Sequence, residues 1–442
     1  MIFDLIKSYL GVSIIDHNGS FDFEDLRRQI RHYGDLLINE IQDGETVVIY
    51  SDYNFFSISL LLSLSSRLIN VVPIVNTTDK EFEEKINSCY PQKIITVKDN
   101  GEIDISLNST QGLEKLDDVY SKGDTGIILF SSGTTGKPKV MIQNFSELIR
   151  NVPTPRRQKS LIFILFLMFD HIGGLNTLLN CLVNGSTIVI PKDRNPSTII
   201  ESIEKHHVNV LPTSPTFLNL MLMDQSFDPD KLKSLRLITY GTERMPNHLL
   251  TRLNELLPKI KFLQTFGTSE TGILKTISKS SDSLYFKISD PDKEHKIIDG
   301  ELYLRSKTSI KGYKNHDNSS FKEDGWFATG DLVEQDEEGF IKIVGRKNKV
   351  INVGGLKVLP SEIEEIINSV AGVIDSTVYG EKNEITGNIV CSDVFINDGN
   401  IDHNDLKKTI KKTCRNQLDK YKIPVKINVK LKLEINKRGK KK

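Results

Sequence analysis

Apolar and polar positions follow two rhythms along the first third of the chain. Phe23 to Ile38 carries apolar residues at helical spacing behind Asp22, a residue type that caps helix N-termini. Glu45 to Tyr50 reads as a strand, Phe55 to Leu68 as a helix and Val71 to Val75 as a strand. Glu81 to Cys89 reads as a helix and Lys93 to Val97 as a strand. Strands alternating with helices predict a parallel sheet covered by helices. The segment from Asp99 to Lys122 is polar and irregular, a surface crossing into the apolar run Ile127 to Phe130.

A second series follows. Strands are predicted over 161–168, 186–191, 208–212, 235–240 and 260–265, with helices over 174–182, 197–207, 215–223 and 247–256. From Lys296 to Ile343 short strands and turns predict a small β subdomain. Near Gly345 the rhythm changes again: a strand at Val350–Val353, two glycines, and a helix starting near Ser361, where Ser361 and Glu364 fit a capping box. The expected fold class is α/β, with a large N-terminal domain of stacked, mostly parallel sheets and a β subdomain (1–347). A small α+β domain (348–442) completes the chain.

Composition narrows the class without naming it. Of 442 residues, 38% are hydrophobic and 26% charged, ordinary for a folded enzyme, and the length favours two or more domains. A formal net charge of zero gives no global pull toward nucleic acid or an anionic membrane, although the C-terminal end is basic. Cys89, Cys181, Cys391 and Cys414 are scattered without CxxC spacing, which argues against a zinc site or disulfide frame. The longest apolar stretch, Leu161 to Phe169, is about half a membrane span. The expectation is a cytoplasmic protein without a transmembrane segment or nucleic-acid partner.

The stretch from Thr125 to Lys139 carries the strongest chemistry. A buried-strand pattern runs into Ser131-Ser-Gly-Thr-Thr-Gly-Lys137 and then Lys139. Glycine frees the backbone to turn its N–H groups onto an anion, hydroxyls add donors and lysines add charge, so the loop suits a polyphosphate. It is not a Walker A loop: Ser131 stands in place of the first glycine, and Pro138 follows the lysine where Ser or Thr is needed.

This string closely resembles the signature loop of the adenylate-forming superfamily, and further motifs follow in the family's order over nearly the whole chain. Gln264-Thr-Phe-Gly-Thr-Ser-Glu270 resembles its Tyr-Gly-x-Thr-Glu element, with Phe266 for tyrosine and Ser269 for threonine. The resemblance implies Phe266 on adenine, Gly267 for close approach, Thr268 and Ser269 toward phosphate, and Glu270 on Mg²⁺. Gly241, Thr242 and Glu243 match a small-residue loop against adenine and the acyl pocket. Gly325-Trp-Phe-Ala-Thr-Gly-Asp331 is the more specific match, implying that Asp331 and Arg346 hold the ribose. Gly345 to Glu364 resembles the hinge and opening of the family's C-terminal domain, with Asn348 where Asp or Lys is common. Gly355 is implied to pass close to an entering thiol arm.

Three residues are implied at the reacting centre. Thr134 belongs to the phosphate loop, together with Ser131, Ser132, Gly133, Thr135, Gly136, Lys137 and Lys139. His171, in Phe169-Asp-His-Ile-Gly-Gly174, would lie over the carboxylate. Lys440 keeps the Gly-Lys end of the family's closing motif, whose proline and threonine are absent here, and Lys437 is its reserve. The position where peptide-synthetase domains carry an amino-binding aspartate is Ile172, which argues against an ordinary α-amino acid.

The resemblance implies an acid–thiol ligase that uses ATP, Mg²⁺ and a small carboxylate, with AMP as leaving group. Three readings stand: transfer to coenzyme A, transfer to the phosphopantetheine of an acyl carrier protein, and a nucleotide-binding protein whose tail no longer catalyses. Residue order leaves the acid unnamed.

Overall fold

The computed structural model describes residues 6–108, 124–132, 138–155, 157–158, 160–396 and 401–431. The protein is a mixed α/β molecule with two large sheets, an antiparallel subdomain and a C-terminal α+β unit.

The first sheet orders Ile103–Leu107, Lys93–Val97, Thr46–Tyr50, Asn70–Ile74, Gly126–Ser132 and Pro138–Asn144. Its four central strands are parallel and its two edges antiparallel. Both edge strands differ from expectation. Ile103–Leu107 lies inside the segment expected to be irregular, although Ile103, Ile105 and Leu107 alternate with polar residues. Pro138–Asn144 pairs antiparallel with Gly126–Ser132, from Gly126 opposite Asn144 to Ser132 opposite Pro138.

The second sheet orders Lys261–Gln264, Leu237–Tyr240, Val210–Thr213, Ile162–Ile164, Thr187–Val189, Val12–Asp16 and Gly19–Asp22. All its pairings are parallel except the last, a hairpin that the hydrophobic pattern does not predict. The strand expected over 161–168 keeps only three residues, because the chain leaves the sheet to reach His171.

Both sheets contribute to one core that includes Val47, Ile49, Ile14 and Ile188. Helix Phe55–Leu64 is apolar nearly all round and buried along its length, as such a helix must be. Helix Phe23–Leu37 shows only an apolar stripe. Asp22 caps it, accepting from Glu24 N at 2.8 Å and Asp25 N at 2.7 Å, while Asp25 accepts from Asp22 N at 3.0 Å.

The β subdomain is a six-stranded antiparallel sheet between Thr276 and Arg346. A short 3₁₀ turn, Lys347–Lys349, leads to the hairpin Ile351–Val353/Leu356–Val358 and to a three-stranded sheet with helices Pro360–Asn368 and His403–Gln417. This last unit has its own core around Ile363, Ile367, Val394 and Ile410. The predicted capping box at Ser361 does not form. The helix starts one residue earlier on Pro360, which needs no N–H partner. Ser361 Oγ instead donates to Val344 O, and Glu364 accepts from Val378 N at 2.9 Å. Across to the N-terminal part, Glu365 takes Arg244 Nη2 at 2.6 Å and Asn247 N at 2.8 Å.

Candidate active site

A cavity of about 1370 Å³ opens where the strand ends of the second sheet meet the Gly126–Asn144 hairpin, the β subdomain and the C-terminal unit. It collects most of the candidates separated by hundreds of residues in sequence. Ser131 and Lys139 line it from the hairpin, where they sit opposite each other in register. Ser132 closes the first strand of that hairpin. Gly133, Thr134, Thr135, Gly136 and Lys137 lie outside the described residues, as do Lys437 and Lys440.

Asp331 and Arg346 face each other for a geometric reason. They are Cα partners in the antiparallel pair Phe327–Gln335 and Ile341–Arg346, so a separation of 15 residues closes to a direct contact. The guanidinium grips the carboxylate through Nε–Oδ1 at 2.7 Å and Nη2–Oδ2 at 3.3 Å. Burial raises the Asp331 pKa above the ordinary aspartate value, against the lowering effect of Arg346. The turn before it is tightly held. Gly330 takes a φ of +74°, which suits glycine, and its N–H donates to Glu301 at 3.1 Å. Thr329 Oγ1 donates to Leu302 O at 2.7 Å. Trp326 of the same motif lies beneath Lys296 Nζ, 4.2 Å from the ring centre, and serves the subdomain rather than the cavity.

Glu270 lies on the cavity wall with its carboxylate fixed by Tyr313, whose hydroxyl donates at 2.7 Å. Burial first, and then the Glu270 charge, raise the Tyr313 pKa, which keeps the phenol a donor. Lys139 Nζ stands 4.7 Å from the Tyr313 ring centre, so a cation, a phenol and a carboxylate form one row. Sequence reasoning missed Tyr313 because its loop has no periodicity; the Gly312-Tyr313 pair was the only local sign. That loop is clipped to the Gly126–Asn144 hairpin: Asn315 Oδ1 accepts from Val140 N at 3.0 Å and its Nδ2 donates to Pro138 O at 2.8 Å. Gln143 of the hairpin donates to Ser269 O, and Ile310 N to Glu270 O at 2.8 Å. Among the described residues no three His, Cys, Asp or Glu side chains gather as a self-sufficient metal site. Glu270, a cavity-lining carboxylate held by a neutral phenol, fits Mg²⁺, which needs only one or two protein carboxylates and takes its other ligands from phosphate and water.

Gly241, Thr242, Glu243, Phe266, Gly267, Thr268 and Ser269 also line the cavity. The glycines answer to protein rather than ligand. A Cβ on Gly241 would meet Thr265 Oγ1 at 2.6 Å, and one on Gly267 would meet Gly272 O at 2.6 Å. Thr242 holds a positive φ of 68°, uncommon for a residue with a side chain and frequent near functional sites. Glu243 accepts from Thr216 Oγ1 at 2.5 Å. The Phe266 ring packs 5.9 Å from Phe286 in the subdomain core while also touching the cavity.

His171 caps helix Ile172–Asn184, its Nδ1 accepting from Gly173 N at 3.1 Å, and lines the cavity. Asp170 does not line it. Its carboxylate is buried against Lys85, Oδ2 to Nζ at 3.3 Å, with both side chains only 2% exposed. Gly355 is the candidate the structure keeps away. It sits in an exposed hairpin turn at φ +88°, where a Cβ would meet nothing within 4 Å, and it does not line the cavity. In this arrangement Pro360, Ser361 and Glu364 of helix Pro360–Asn368 occupy that side instead.

Two stacked, mostly parallel sheets, an antiparallel subdomain and a small α+β unit, meeting at a cavity lined by the Gly126–Asn144 hairpin and by a buried Asp331 paired with the more exposed Arg346, define an adenylate-forming enzyme fold. The chain belongs to the AMP-binding enzyme family, which matches residues 11–314, and the AMP-binding enzyme C-terminal domain matches 362–440. It is similar to the 2-succinylbenzoate–CoA ligase of Bacillus pumilus (strain SAFR-032), 24% identical over 93% of this chain and 90% of that one. It is 27% identical to 4-coumarate-CoA ligase 1 of Narcissus pseudonarcissus over 65% of this chain and 59% of that one. It spans less than two thirds of the length of several further curated relatives. Its fold matches that of ATP-bound MatB from Rhodopseudomonas palustris, with a TM-score of 0.83 at 20% identity, over 98% of this chain and 95% of that one. Among the described residues no helix is long and apolar enough to cross a membrane.

Proposed function

We propose that this protein is an AMP-forming acid–thiol ligase that activates a small carboxylic acid with ATP and transfers the acyl group to coenzyme A. The observation that carries this reading is the convergence on one cavity of Lys139, Glu270, Asp331–Arg346 and His171, each from a different element.

In the first half-reaction a carboxylate oxygen attacks the α-phosphorus of ATP, and the bond to the pyrophosphate oxygen breaks. Charge spreads over phosphate oxygens, so catalysis rests on positioning and electrostatic stabilisation. Asp331 accepts the ribose hydroxyls while Arg346 holds its carboxylate. Lys139 and the hydroxyls of the 131–137 loop surround the phosphates, and His171 orients the acid. Glu270, steadied by Tyr313, would hold Mg²⁺, which supplies charge neutralisation on the phosphates. Lys440 approaches the reacting oxygens from the C-terminal domain.

In the second half-reaction a thiol sulfur attacks the acyl carbonyl carbon, and AMP departs with the bonding electrons. The exposed Gly355 turn does not reach the cavity in this arrangement, so the proposal includes rotation of residues 348–442 about the Lys347–Lys349 turn. Asn348 there keeps ordinary 3₁₀ backbone.

Acid-dependent pyrophosphate release from ATP tests the first step, and acyl-thioester formation with CoA or a holo carrier protein tests the second. Pyrophosphate release without thioester on either acceptor would remove the transfer step. ATP binding without release on any acid would reduce the protein to a nucleotide binder.

A further inference from the structure

Past His171 the cavity follows helix Ile172–Asn184. This helix joins the parallel strands Ile162–Ile164 and Thr187–Val189, so it runs antiparallel to them. His171 therefore stands toward the end of the sheet where Thr213 and Gly241 finish or follow their strands, and Asn184 toward the end where Val210 and Leu237 begin theirs.

Asn176, Asn180 and Asn184 all line this arm, at i, i+4 and i+8, which places them in one row. At 1.5 Å per residue the row is ~12 Å long. Their amides are held rather than loose. Asn180 Nδ2 donates to Asn176 O at 2.7 Å, and Asn184 Nδ2 to Asn180 O at 2.7 Å. Each of these two amides keeps its carbonyl oxygen and one further N–H for another partner.

A second observation is independent of the row. Ser186 and Thr213 line the same cavity, are 1% and 2% exposed, and have hydroxyls with no hydrogen-bond partner among the described residues. A buried hydroxyl without a partner is costly, whereas a ligand hydroxyl or amide can both give and take a hydrogen bond. Ser186 lies at the Asn184 end, where Leu237 and Val210 supply an apolar surface, and Thr213 at the His171 end.

Resting on the ligase reading above, we infer that the acid is an extended one bearing hydroxyl or amide groups along its chain, read by the asparagine row. A plain alkyl chain of equal length would leave this wall unsatisfied. Sites that hydrogen-bond a substrate group reject the analogue lacking it far more strongly than an apolar pocket rejects a missing methylene.

The test compares straight-chain alkanoates with their ω-hydroxy counterparts of equal length, from hexanoate to dodecanoate. Binding is measured by calorimetry with AMP present. At the length that reaches Asn180 or Asn184 the hydroxy acid should bind at least about tenfold tighter. Asn180→Leu and Asn184→Leu should cancel the ratio, and Asn180→Gln, which keeps an amide, should retain part of it. Thermal unfolding of each variant separates lost recognition from lost fold. Equal binding of the two series at every length overturns the inference, as does a ratio that survives both leucine substitutions, or no binding of either series at millimolar concentration. Pyrophosphate release is then measured with the same acids. A hydroxy acid that binds preferentially but releases none upholds the pocket assignment and sinks the ligase reading.

Discussion

Asp331 and Arg346 hold each other by two hydrogen bonds, 2.7 and 3.3 Å, across adjacent antiparallel strands. Asp331 is only 6% exposed, and its carboxylate, clamped by a guanidinium, is oriented before any ligand arrives. Asp331→Ala should weaken ATP binding, since hydrogen bonds to a charged acceptor are worth about 1.5–3 kcal/mol each. Binding of ATP and 2′-deoxy-ATP checks the role: a variant that discriminates them as the wild type does would remove Asp331 from the ribose.

The same carboxyl predicts a pH dependence. Burial raises its folded-state pKa above that of an ordinary aspartate. Protonation of the folded state is thus favoured, and the ionised acceptor is lost as pH falls through that raised value. AMP affinity should fall on acidification earlier than an unperturbed aspartate would allow. An AMP titration across pH should show this limb in the wild type and lose it in Asp331→Ala.

Glu270→Gln should raise the Mg²⁺ requirement and nearly abolish acid-dependent pyrophosphate exchange, because a neutral amide no longer attracts the ion. Tyr313→Phe keeps the charge and removes only the 2.7 Å hydrogen bond, so its effect should be smaller, about tenfold. Normal exchange in Glu270→Gln would end the metal assignment. Equal losses in both variants would mean that Tyr313 has its own role.

Lys85 and Asp170 form an ion pair of which both members are 2% exposed. Lys85→Met should cost about 3–5 kcal/mol of stability by leaving a buried carboxylate without this cation. Urea unfolding followed by the fluorescence of Trp326, the single tryptophan, measures it. Since Asp170 precedes His171, the surviving folded enzyme should also show a raised KM for the acid. A stability change below about 1 kcal/mol would show that the pair is dispensable.

Lys440→Ala should slow acyl-adenylate formation by about 10²–10³, the usual effect of removing one preorganised charge donor. Thioester formation from supplied acyl-adenylate should be spared. Lys437→Ala is the comparison, because the basic end of the chain carries both amines. Measuring both half-reactions on both variants assigns the role to whichever lysine slows the first.

The sequence by itself determined the element rhythm and the motif strings, because both are local. Helix Phe23–Leu37 with its Asp22 cap, the strand into the phosphate loop, and the strings ending in Glu270 and Asp331 were legible from spacing and residue type. Tertiary structure decided what those residues face. Ser361 reads as a cap, yet its hydroxyl is taken by Val344 from another element. Gly241 and Gly267 read as room for a ligand, yet backbone and side chains of the protein fill that space. Tyr313, Lys85 and the asparagine row carry no motif. Their meaning comes from partners 43 and 85 residues away, or from a cavity wall assembled by the sheet crossover. A linear pattern records which side chains share a face of one element; it holds no record of which other element closes over that face.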